Sequence, residues 1–204
     1  AGSDTVNATS STLDAGDNVN AGVGDTDVLA ITGGGAVTMG VNITNFEQVT
    51  LATGTTFTAN DTGSLLITGS GSADIITTGN AVQTVNAGSG NDTITVGGDG
   101  QTINGENGND TVVVDIFNFD ITTMTLNGGN NSDTLAFSGG GAVNLNTLGG
   151  VTNFENVSTG TTAIALTLTN SGFLVNVQGG ANHTIASGDN SGGEWSRSNP
   201  SDMW

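Results

Sequence analysis

Aspartates at a regular spacing are the residues of this chain best suited to chemistry. Asp74, Asp92 and Asp110 follow one another at intervals of eighteen residues, and a glycine-rich segment precedes each of them. Carboxylates and the backbone carbonyls of glycine turns are the oxygen ligands that a hard cation such as calcium prefers. An Asp before a strand can instead cap its turn through an Asx hydrogen bond. The spacing therefore indicates either a row of cation sites or a row of turn caps.

Catalysis has few residues to use in this chain. There is one histidine, His183, no cysteine, and one basic residue, Arg197. An activated nucleophile needs a neighbouring base, and binding of an acidic polysaccharide would need cationic side chains. Two carboxylates can hydrolyse a glycoside, but repetition explains the recurring Asp positions better. We therefore predict that the chain is not an enzyme, and that His183 is a turn residue, with metal ligation as the alternative.

The charge balance excludes two classes of partner. The chain of 204 residues carries 19 acidic residues against one basic residue, for a net charge of −18. Without a basic patch, a protein cannot neutralise nucleic-acid phosphates or attach to an anionic bilayer by charge. No apolar run reaches the ~18 residues of a membrane span. We expect no nucleic-acid partner and no direct membrane insertion.

Branched apolar residues mark the strands that would position the aspartates. They recur every nine residues at Ile76, Val85, Ile94, Ile103 and Val112. Val and Ile favour strands, whereas the Gly and Asn residues between them favour turns. Two nine-residue half-turns make one coil of eighteen residues, and stacked coils form two parallel sheets around a thin core. The predicted fold class is all-β, a parallel β-solenoid built from nonapeptide half-turns.

The alternation of Asp with Gln predicts where the carboxylates lie. Gln83 and Gln101 occupy, in the intervening half-turns, the position that Asp holds in the others. The carboxylates are therefore expected to stack along one edge of the solenoid only. Stacked like charges repel by about 1 kcal/mol per pair in water, and by more near the protein. Cations would relieve this repulsion, although the negative charge could equally serve solubility alone.

A longer repeat contains the shorter one. Residues 29–37 return as residues 135–143, 106 positions later, and residues 44–49 return as residues 152–157, 108 positions later. The offset of the two units predicts an excerpt of a longer array, or a subunit that its neighbours complete. We divide the sequence into four segments. Residues 1–19 are the end of a preceding repeat, and residues 20–126 are the first long repeat, in which the nine-residue pattern occupies 69–115. Residues 127–190 are a second, incomplete repeat, and residues 191–204 are a tail. Both tryptophans lie in this tail, which is a flexible end or a docking segment.

The segments around the aspartates resemble a known repeat. Residues 88–95 are GSGNDTIT, and residues 105–113 are GENGNDTVV. Both resemble the nonapeptide Gly-Gly-x-Gly-x-Asp-x-apolar-x of the repeats-in-toxin, or hemolysin-type, calcium-binding family. Residues 22–29, 69–76 and 128–135 are looser relatives. The Thr-Asn-Phe-Glu segments are similar to repeats of bacterial surface-layer and large adhesin proteins.

The resemblance implies a β-roll whose cofactor is calcium. Carbonyls and Asp carboxylates of successive turns on one edge would enclose each ion, so that Asp74 and Asp92 share one site, and Asp92 and Asp110 another. The implied metal ligands are Asp74, Asp92, Asp110, Asp27, Asp133, Gly90 and Gly108. Asp27 and Asp133 belong to the looser segments, and for them a turn cap without metal is an equal alternative.

Several positions depart from the family pattern. Ala87 replaces a motif glycine, Gln83 and Gln101 replace Asp, and His183 takes the place of Asp74 in the second unit. Each departure removes a ligand or a tight turn. We therefore expect weaker calcium binding at each of these half-turns.

The resemblance also implies a location and a role. It predicts an extracellular or cell-surface protein that serves as a structural calcium-binding repeat of a bacterial assembly, such as a surface layer, an adhesin stalk or a filament. The expected partners are calcium ions and other copies, associated head to tail or laterally. The alternative is a calcium-dependent binding or secretion-helper module of a larger secreted enzyme or toxin. A row of threonines every nine residues, at Thr84, Thr93, Thr102 and Thr111, leaves ice binding as a minor alternative.

Overall fold

The structure, a computed structural model, describes residues 2–169 and three further strands, Leu174–Val177, Thr184–Gly188 and Trp195–Arg197. The strands are β1 Thr5–Ala8, β2 Val19–Asn20, β3 Val28–Ile31, β4 Gly35–Thr38, β5 Ile43–Thr44, β6 Gln48–Leu51, β7 Thr55–Thr58, β8 Leu66–Thr68, β9 Ile75–Thr77, β10 Thr84–Asn86, β11 Thr93–Thr95, β12 Thr102–Asn104, β13 Thr111–Asp115, β14 Thr125–Asn127, β15 Thr134–Ser138, β16 Gly141–Asn144, β17 Val151–Thr152, β18 Asn156–Ser158, β19 Ile164–Thr169, β20 Leu174–Val177, β21 Thr184–Gly188 and β22 Trp195–Arg197. Two short 3-10 helices, Ile121–Thr123 and Leu145–Thr147, are the only helices among the described residues.

Two parallel sheets make up the body of the protein. The eight-stranded sheet has the order β1-β3-β6-β8-β10-β12-β14-β17, and the nine-stranded sheet has the order β22-β20-β18-β15-β13-β11-β9-β7-β4. Neighbouring strands within both sheets pair in parallel. In each coil, the chain thus forms a strand of one sheet, turns, and forms a strand of the other sheet. The predicted all-β parallel β-solenoid is confirmed.

In the middle of the chain, the centre of the core is formed by the apolar residues that recur every nine positions. In the nine-stranded sheet Ile94 lies between Ile76 and Val112, and in the eight-stranded sheet Val85 is the partner of Ile103. All five are fully buried. Burying a side chain of this size contributes about 1.5–3 kcal/mol. Successive half-turns therefore place their apolar residues in opposite sheets, as the spacing predicted.

Several coils outside this regular stretch are longer. Thr93 pairs with Thr111, eighteen residues on, but Thr111 pairs with Thr134, twenty-three residues on. The extra residues include the 3-10 helix Ile121–Thr123, where the Thr122 N–H donates to the carboxylate of the capping residue Asp120. Parallel pairing is kept because an insertion in a turn leaves the strand register unchanged. The eighteen-residue period therefore holds only where both turns are short.

Candidate cation site

A polar residue stands two positions before each of several inward apolar residues of the nine-stranded sheet. Because side chains alternate along a strand, this residue points to the same side as the apolar one, at the turn that enters the strand. We call this set the acidic ladder; its members are Asp74, Asp92, Asp110, Asp133 and Glu155. The first three aspartates are 1% exposed, and Asp133 is 0% exposed. The ladder thus holds four buried carboxyl groups on one edge.

Backbone hydrogen bonds join the ladder from coil to coil. The N–H group of each aspartate donates to the carboxylate one coil further on, with N···O distances of 2.7 Å for Asp74 to Asp92, 2.8 Å for Asp92 to Asp110, 2.7 Å for Asp110 to Asp133 and 2.8 Å for Asp133 to Glu155. Bonds of this length to an ionised acceptor are stronger than neutral ones. One oxygen of each carboxylate is therefore used to hold two coils in register.

The second carboxylate oxygen distinguishes Asp74 from the rest. Both oxygens of Asp74 accept backbone N–H groups, from Thr55 at 2.6 Å and from Ser70 at 2.8 Å. In contrast, Oδ2 of Asp92, Asp110 and Asp133 is buried and has no hydrogen-bond partner. A buried carboxylate oxygen left in this way is costly. Asp74 is thus a complete turn cap, whereas each of the next three aspartates has one oxygen that a proton or a cation would satisfy.

Two of the three unpaired oxygens, Oδ2 of Asp110 and of Asp133, face glycine backbone and carbonyl groups. A Cβ on Gly105 would lie 2.5 Å from Asp110 Oδ2 and 2.1 Å from the carbonyl oxygen of Gly128. One coil on, a Cβ on Gly128 would lie 2.9 Å from Asp133 Oδ2 and 2.0 Å from the carbonyl oxygen of Asn153. In both coils, a free carboxylate oxygen and a carbonyl of the next coil face the same glycine. Such an oxygen-only donor set fits calcium.

Burial governs the protonation of the ladder. It raises the pKa of Asp92 from 3.8 to about 7, against the lowering effect of the hydrogen bond from Asp74, and the charges of Asp110, Asp74 and Glu106 add to the rise. Burial likewise raises the pKa of Asp110 to about 6, with a further contribution from Asp133. The pKa of Asp133 is raised for the same main reason. Asp92, Asp110 and Asp133 therefore keep their protons to a higher pH than exposed carboxyl groups do.

On the opposite edge of the solenoid, glutamines occupy the equivalent positions and form their hydrogen bonds without carrying a charge. The Gln83 N–H donates to Gln101 Oε1 at 3.1 Å, just as one Asp donates to the next. The Gln101 Nε2 group then donates to the carbonyl oxygens of Ala81 at 2.8 Å and Gly79 at 3.3 Å, and Gln83 Nε2 donates to that of Asn60 at 3.1 Å. The amide NH2 group thus binds turn carbonyls, a role that a cation could perform on the Asp edge.

Asp27 does not belong to the acidic ladder. It precedes a strand of the eight-stranded sheet, so it lies on the same edge as the glutamines. Its Oδ1 accepts the N–H of Asp4 at 2.7 Å, and its own N–H donates to Glu47 Oε2 at 2.7 Å. The expectation that carboxylates stack along one edge only is therefore wrong when it is applied beyond the central coils, because a second, shorter carboxylate stack lies on the other edge. The expectation holds for Asp74, Asp92 and Asp110.

Two stacked carboxylates were missed at the level of sequence, Glu155 on the acidic ladder and Glu47 in the stack on the other edge. Glu47 and Glu155 occupy the Asp position in their coils, although both were noted only as part of the Thr-Asn-Phe-Glu segments. Each stands two residues before a fully buried valine, Val49 or Val157. That offset is the same as between Asp92 and its buried neighbour Ile94, and it was the signal that could have identified them.

The two predicted glycine ligands form part of the stacked turns. Gly90 and Gly108 have φ angles of +122° and +138°, which glycine adopts without strain. The Gly90 N–H donates to the carbonyl oxygen of Asn107 at 3.0 Å, and a Cβ on Gly108 would lie 1.5 Å from the Gly90 carbonyl oxygen. These turns are therefore packed too closely for any side chain at Gly108.

We expect Gly108→Ala to lower the free energy of unfolding by at least about 3 kcal/mol, because the new Cβ adds a backbone clash to an unfavourable φ. Gly71→Ala is the matched control, since a Cβ there meets nothing within 4 Å. Urea denaturation followed by circular dichroism measures both. Equal midpoints for the two variants would contradict the close stacking of the turns.

Some predicted features fall outside the described residues. His183 is one of them, so its assignment as a turn residue stays a prediction. Of the tail, the structure describes the backbone of Trp195–Arg197, which pairs in parallel with Leu174–Val177.

In the described part of the chain, no three His, Cys, Asp or Glu side chains converge on one point. A cation on the acidic ladder would therefore need backbone carbonyl oxygens among its ligands.

Comparison of the chain with protein-family models, with curated proteins and with solved structures finds no match. Among the described residues, no helix is long and apolar enough to cross a membrane.

Proposed function

We propose that this chain is a structural calcium-binding repeat of an extracellular bacterial assembly, such as a surface layer, an adhesin stalk or a filament. One observation carries the proposal: three successive coils each bury a carboxylate oxygen without a partner, at Asp92, Asp110 and Asp133. Because an unpaired oxygen recurs at equivalent positions of three coils, its partner is expected to be a ligand that binds once in each coil. Calcium is such a ligand, because it accepts carboxylate and carbonyl oxygens together.

The residues that would hold calcium are the three aspartates and the carbonyl groups of the adjoining glycine turns. Bound calcium would supply positive charge between carboxylates that otherwise repel one another. Asp74 would contribute less, because backbone N–H groups already occupy both of its oxygens. Extracellular calcium modules bind with dissociation constants of roughly 10⁻⁴–10⁻³ M. An array of shared carboxylates on a surface protein suits that range.

The solenoid architecture supports the assembly part of the proposal. A parallel sheet continues wherever a further strand offers its backbone N–H and C=O groups. In the described structure β1 pairs with β3 on one side only, so its other side can accept a coil from another copy or an adjoining repeat. A head-to-tail contact of this kind does not close on itself and therefore generates a filament or a layer.

The proposal is tested by calcium titration and sedimentation of the same samples. Calorimetry on chelator-treated protein should detect calcium uptake in the wild type and a reduced stoichiometry in Asp92→Ala. Asp27→Ala is the control, because Asp27 is equally buried but lies on the other edge. Sedimentation velocity should show species larger than a monomer with calcium, and smaller ones with chelator.

Each part of the proposal has its own contrary outcome. No calcium uptake by the wild type would overturn the metal assignment. Equal stoichiometry in wild type and Asp92→Ala would overturn the ladder as its location. A monomer at high protein and calcium concentration would overturn the assembly role and favour a calcium-dependent module of a larger secreted protein.

A further inference from the structure

A groove opens beside the turn that follows β13. Its volume is about 430 Å³, and ligand pockets measure roughly 300–1,000 Å³. Ile116, Val143 and Leu148 give it an apolar lining, and all three pack in or against the core. Phe117 also lines this space, although it is 77% exposed. We call this feature the Phe117 groove, a concave surface with an aromatic ring in solvent.

Hydrogen bonds within the turn fix the backbone of Phe117. The Asp115 carbonyl oxygen accepts the N–H groups of Asn118 at 3.2 Å and Phe119 at 3.0 Å. Asp115 Oδ1 accepts the Phe117 N–H at 3.0 Å, and its Oδ2 accepts a hydrogen bond from Asn118 Nδ2 at 2.7 Å. Phe119 packs against the core. A ligand on the Phe117 ring would therefore order little of the protein, which lowers the free-energy cost of binding.

The long repeat contains an equivalent turn without an aromatic ring. Residues 9–13 are the counterpart of residues 115–119, since 115 − 9 is 106, the offset already found for residues 29–37. In both turns the first carbonyl oxygen accepts the N–H groups of the fourth and fifth residues, at 3.0 Å twice in the earlier turn and at 3.2 and 3.0 Å in the later one. Ser11 stands where the later turn has Phe117, and both are exposed. The fold of the turn thus does not require an aromatic residue, so Phe117 is available for binding.

Two carboxylates line the same groove, those of Asp99 and Asp120. They belong to adjacent residues in space, because the Asp120 N–H donates to Asp99 Oδ1 at 2.7 Å. Hydrogen bonds from the Thr122 hydroxyl and N–H groups lower the pKa of Asp120, so this carboxyl group is ionised at neutral pH. Both aspartates are exposed and can accept further donors. In the described part of the chain no basic side chain lines the groove, so its charge is negative.

We infer that the Phe117 groove binds an arginine side chain of a partner protein. The planar guanidinium group stacks on aromatic faces and donates to carboxylates, so one side chain can contact Phe117, Asp99 and Asp120. A lysine ammonium would gain less, because it is a more strongly hydrated point charge. A second copy of this chain is a poor occupant, since each copy carries a net charge of −18 and one basic residue. The inference is independent of calcium binding by the acidic ladder.

Titration of the full chain with a short arginine peptide tests the inference. The probe is a glycine-arginine-glycine peptide with both ends blocked. Its control is the same peptide with citrulline, which keeps the length and shape of arginine without the charge. Choline is a second probe, for a free ammonium ligand. Binding is followed through the NMR signals of residues 117–122, and self-association is followed by sedimentation velocity.

Two variants with matched controls locate the contact. Phe117→Ser introduces the residue of the equivalent turn, and its control is Val23→Ser, at a valine that is 81% exposed and lies outside the groove lining. Asp99→Asn removes one charge and can keep the Oδ1 acceptor for the Asp120 N–H. Its control is Asp61→Asn, because Asp61 is exposed and its Oδ1 accepts a backbone N–H in the same way, at 2.6 Å. Circular dichroism checks that each variant is folded.

We expect Phe117→Ser and Asp99→Asn each to weaken binding of the arginine peptide roughly two- to fivefold, the size expected for a cation–π contact or an ion pair at an exposed site. Val23→Ser and Asp61→Asn should leave the affinity unchanged, and the citrulline peptide should bind more weakly. Wild-type affinity in both groove variants, or equal binding of the two peptides, would overturn the inference. Tighter binding of choline than of the arginine peptide would assign the groove to a free ammonium ligand instead. Loss of self-association in Phe117→Ser, with unchanged peptide affinity, would assign it to a second copy.

Discussion

Without calcium, the protein is expected to lose stability as the pH rises from about 4 to about 7. The pKa of Asp92 is about 7 in the folded state and that of Asp110 is about 6, against 3.8 ordinarily. A raised folded-state pKa means that the folded protein binds more protons than the unfolded chain within this window, so the free energy of unfolding falls as pH increases. At about 1.4 kcal/mol per pKa unit, Asp92 alone contributes on the order of 4 kcal/mol.

Calcium should reverse the direction of this dependence. Above about pH 7 Asp92 and Asp110 are largely deprotonated, and calcium binds their carboxylates with little competition from protons. Binding to the folded state alone stabilises that state by mass action. Thermal unfolding at about pH 5 and about pH 8, each with chelator and with excess calcium, measures the four combinations. In chelator the protein should melt higher at the lower pH, and calcium should raise the melting temperature mainly at the higher pH.

A melting temperature that rises with pH in chelator would contradict the protonated ladder. Calcium stabilisation of equal size at both pH values would contradict competition between calcium and protons for the same oxygens. The neighbouring charged groups that set the effect for Asp92 are Asp74, Asp110 and Glu106, all of them acidic. No described basic group offsets them, so the direction of the effect does not depend on salt bridges elsewhere.

The double variant Asp92→Asn, Asp110→Asn should be more stable than the wild type in chelator at about pH 8, by on the order of 3 kcal/mol. Asn keeps the Oδ1 acceptor for the N–H of the preceding coil. Its NH2 group replaces the unpaired charged oxygen, and the Gly128 carbonyl oxygen, which faces the same glycine as Asp110 Oδ2, is an acceptor within reach. The variant should also lose the pH dependence and most of the calcium stabilisation.

The edge of the solenoid that carries Gln83 and Gln101 gives the physical reason for this prediction. It also offers a control in which the substitution is made in the opposite direction, from amide to carboxylate. There Gln101 accepts through Oε1 and donates through Nε2, with both ends satisfied. Gln101→Glu should therefore destabilise the protein at about pH 8 and introduce the pH dependence that the Asn variant loses. The double Ala variant, which removes both oxygens, should be less stable than the Asn variant at every pH. Urea denaturation of the variants in chelator is the measurement, and an Asn variant less stable than the wild type would contradict the argument.

Local periodicity explains why the fold was predictable from sequence. Ile76, Ile94 and Val112 lie in register because glycine turns and branched strand residues repeat at a fixed interval over the middle of the chain. A one-residue slip would turn every buried side chain outward, so the pattern specifies its own register. The stacking of Asp92 on Asp110 followed from the same arithmetic, as did the placement of Gln83 and Gln101 in the opposite half-turns.

By itself, the sequence determined the fold class, the core positions and the stacking of the central aspartates, since all three depend on a short-range repeat. Only the tertiary structure decided which carboxylates are satisfied. Both oxygens of Asp74 have donors while Oδ2 of Asp92 has none, although the two segments look alike in sequence. It also decided that Asp27 lies on the other edge and that Glu155 joins the ladder. These outcomes depend on the length of each coil, on whether an odd or an even number of half-turns separates two distant residues, and on the direction in which the N–H groups of each turn point. No local sequence pattern specifies these properties.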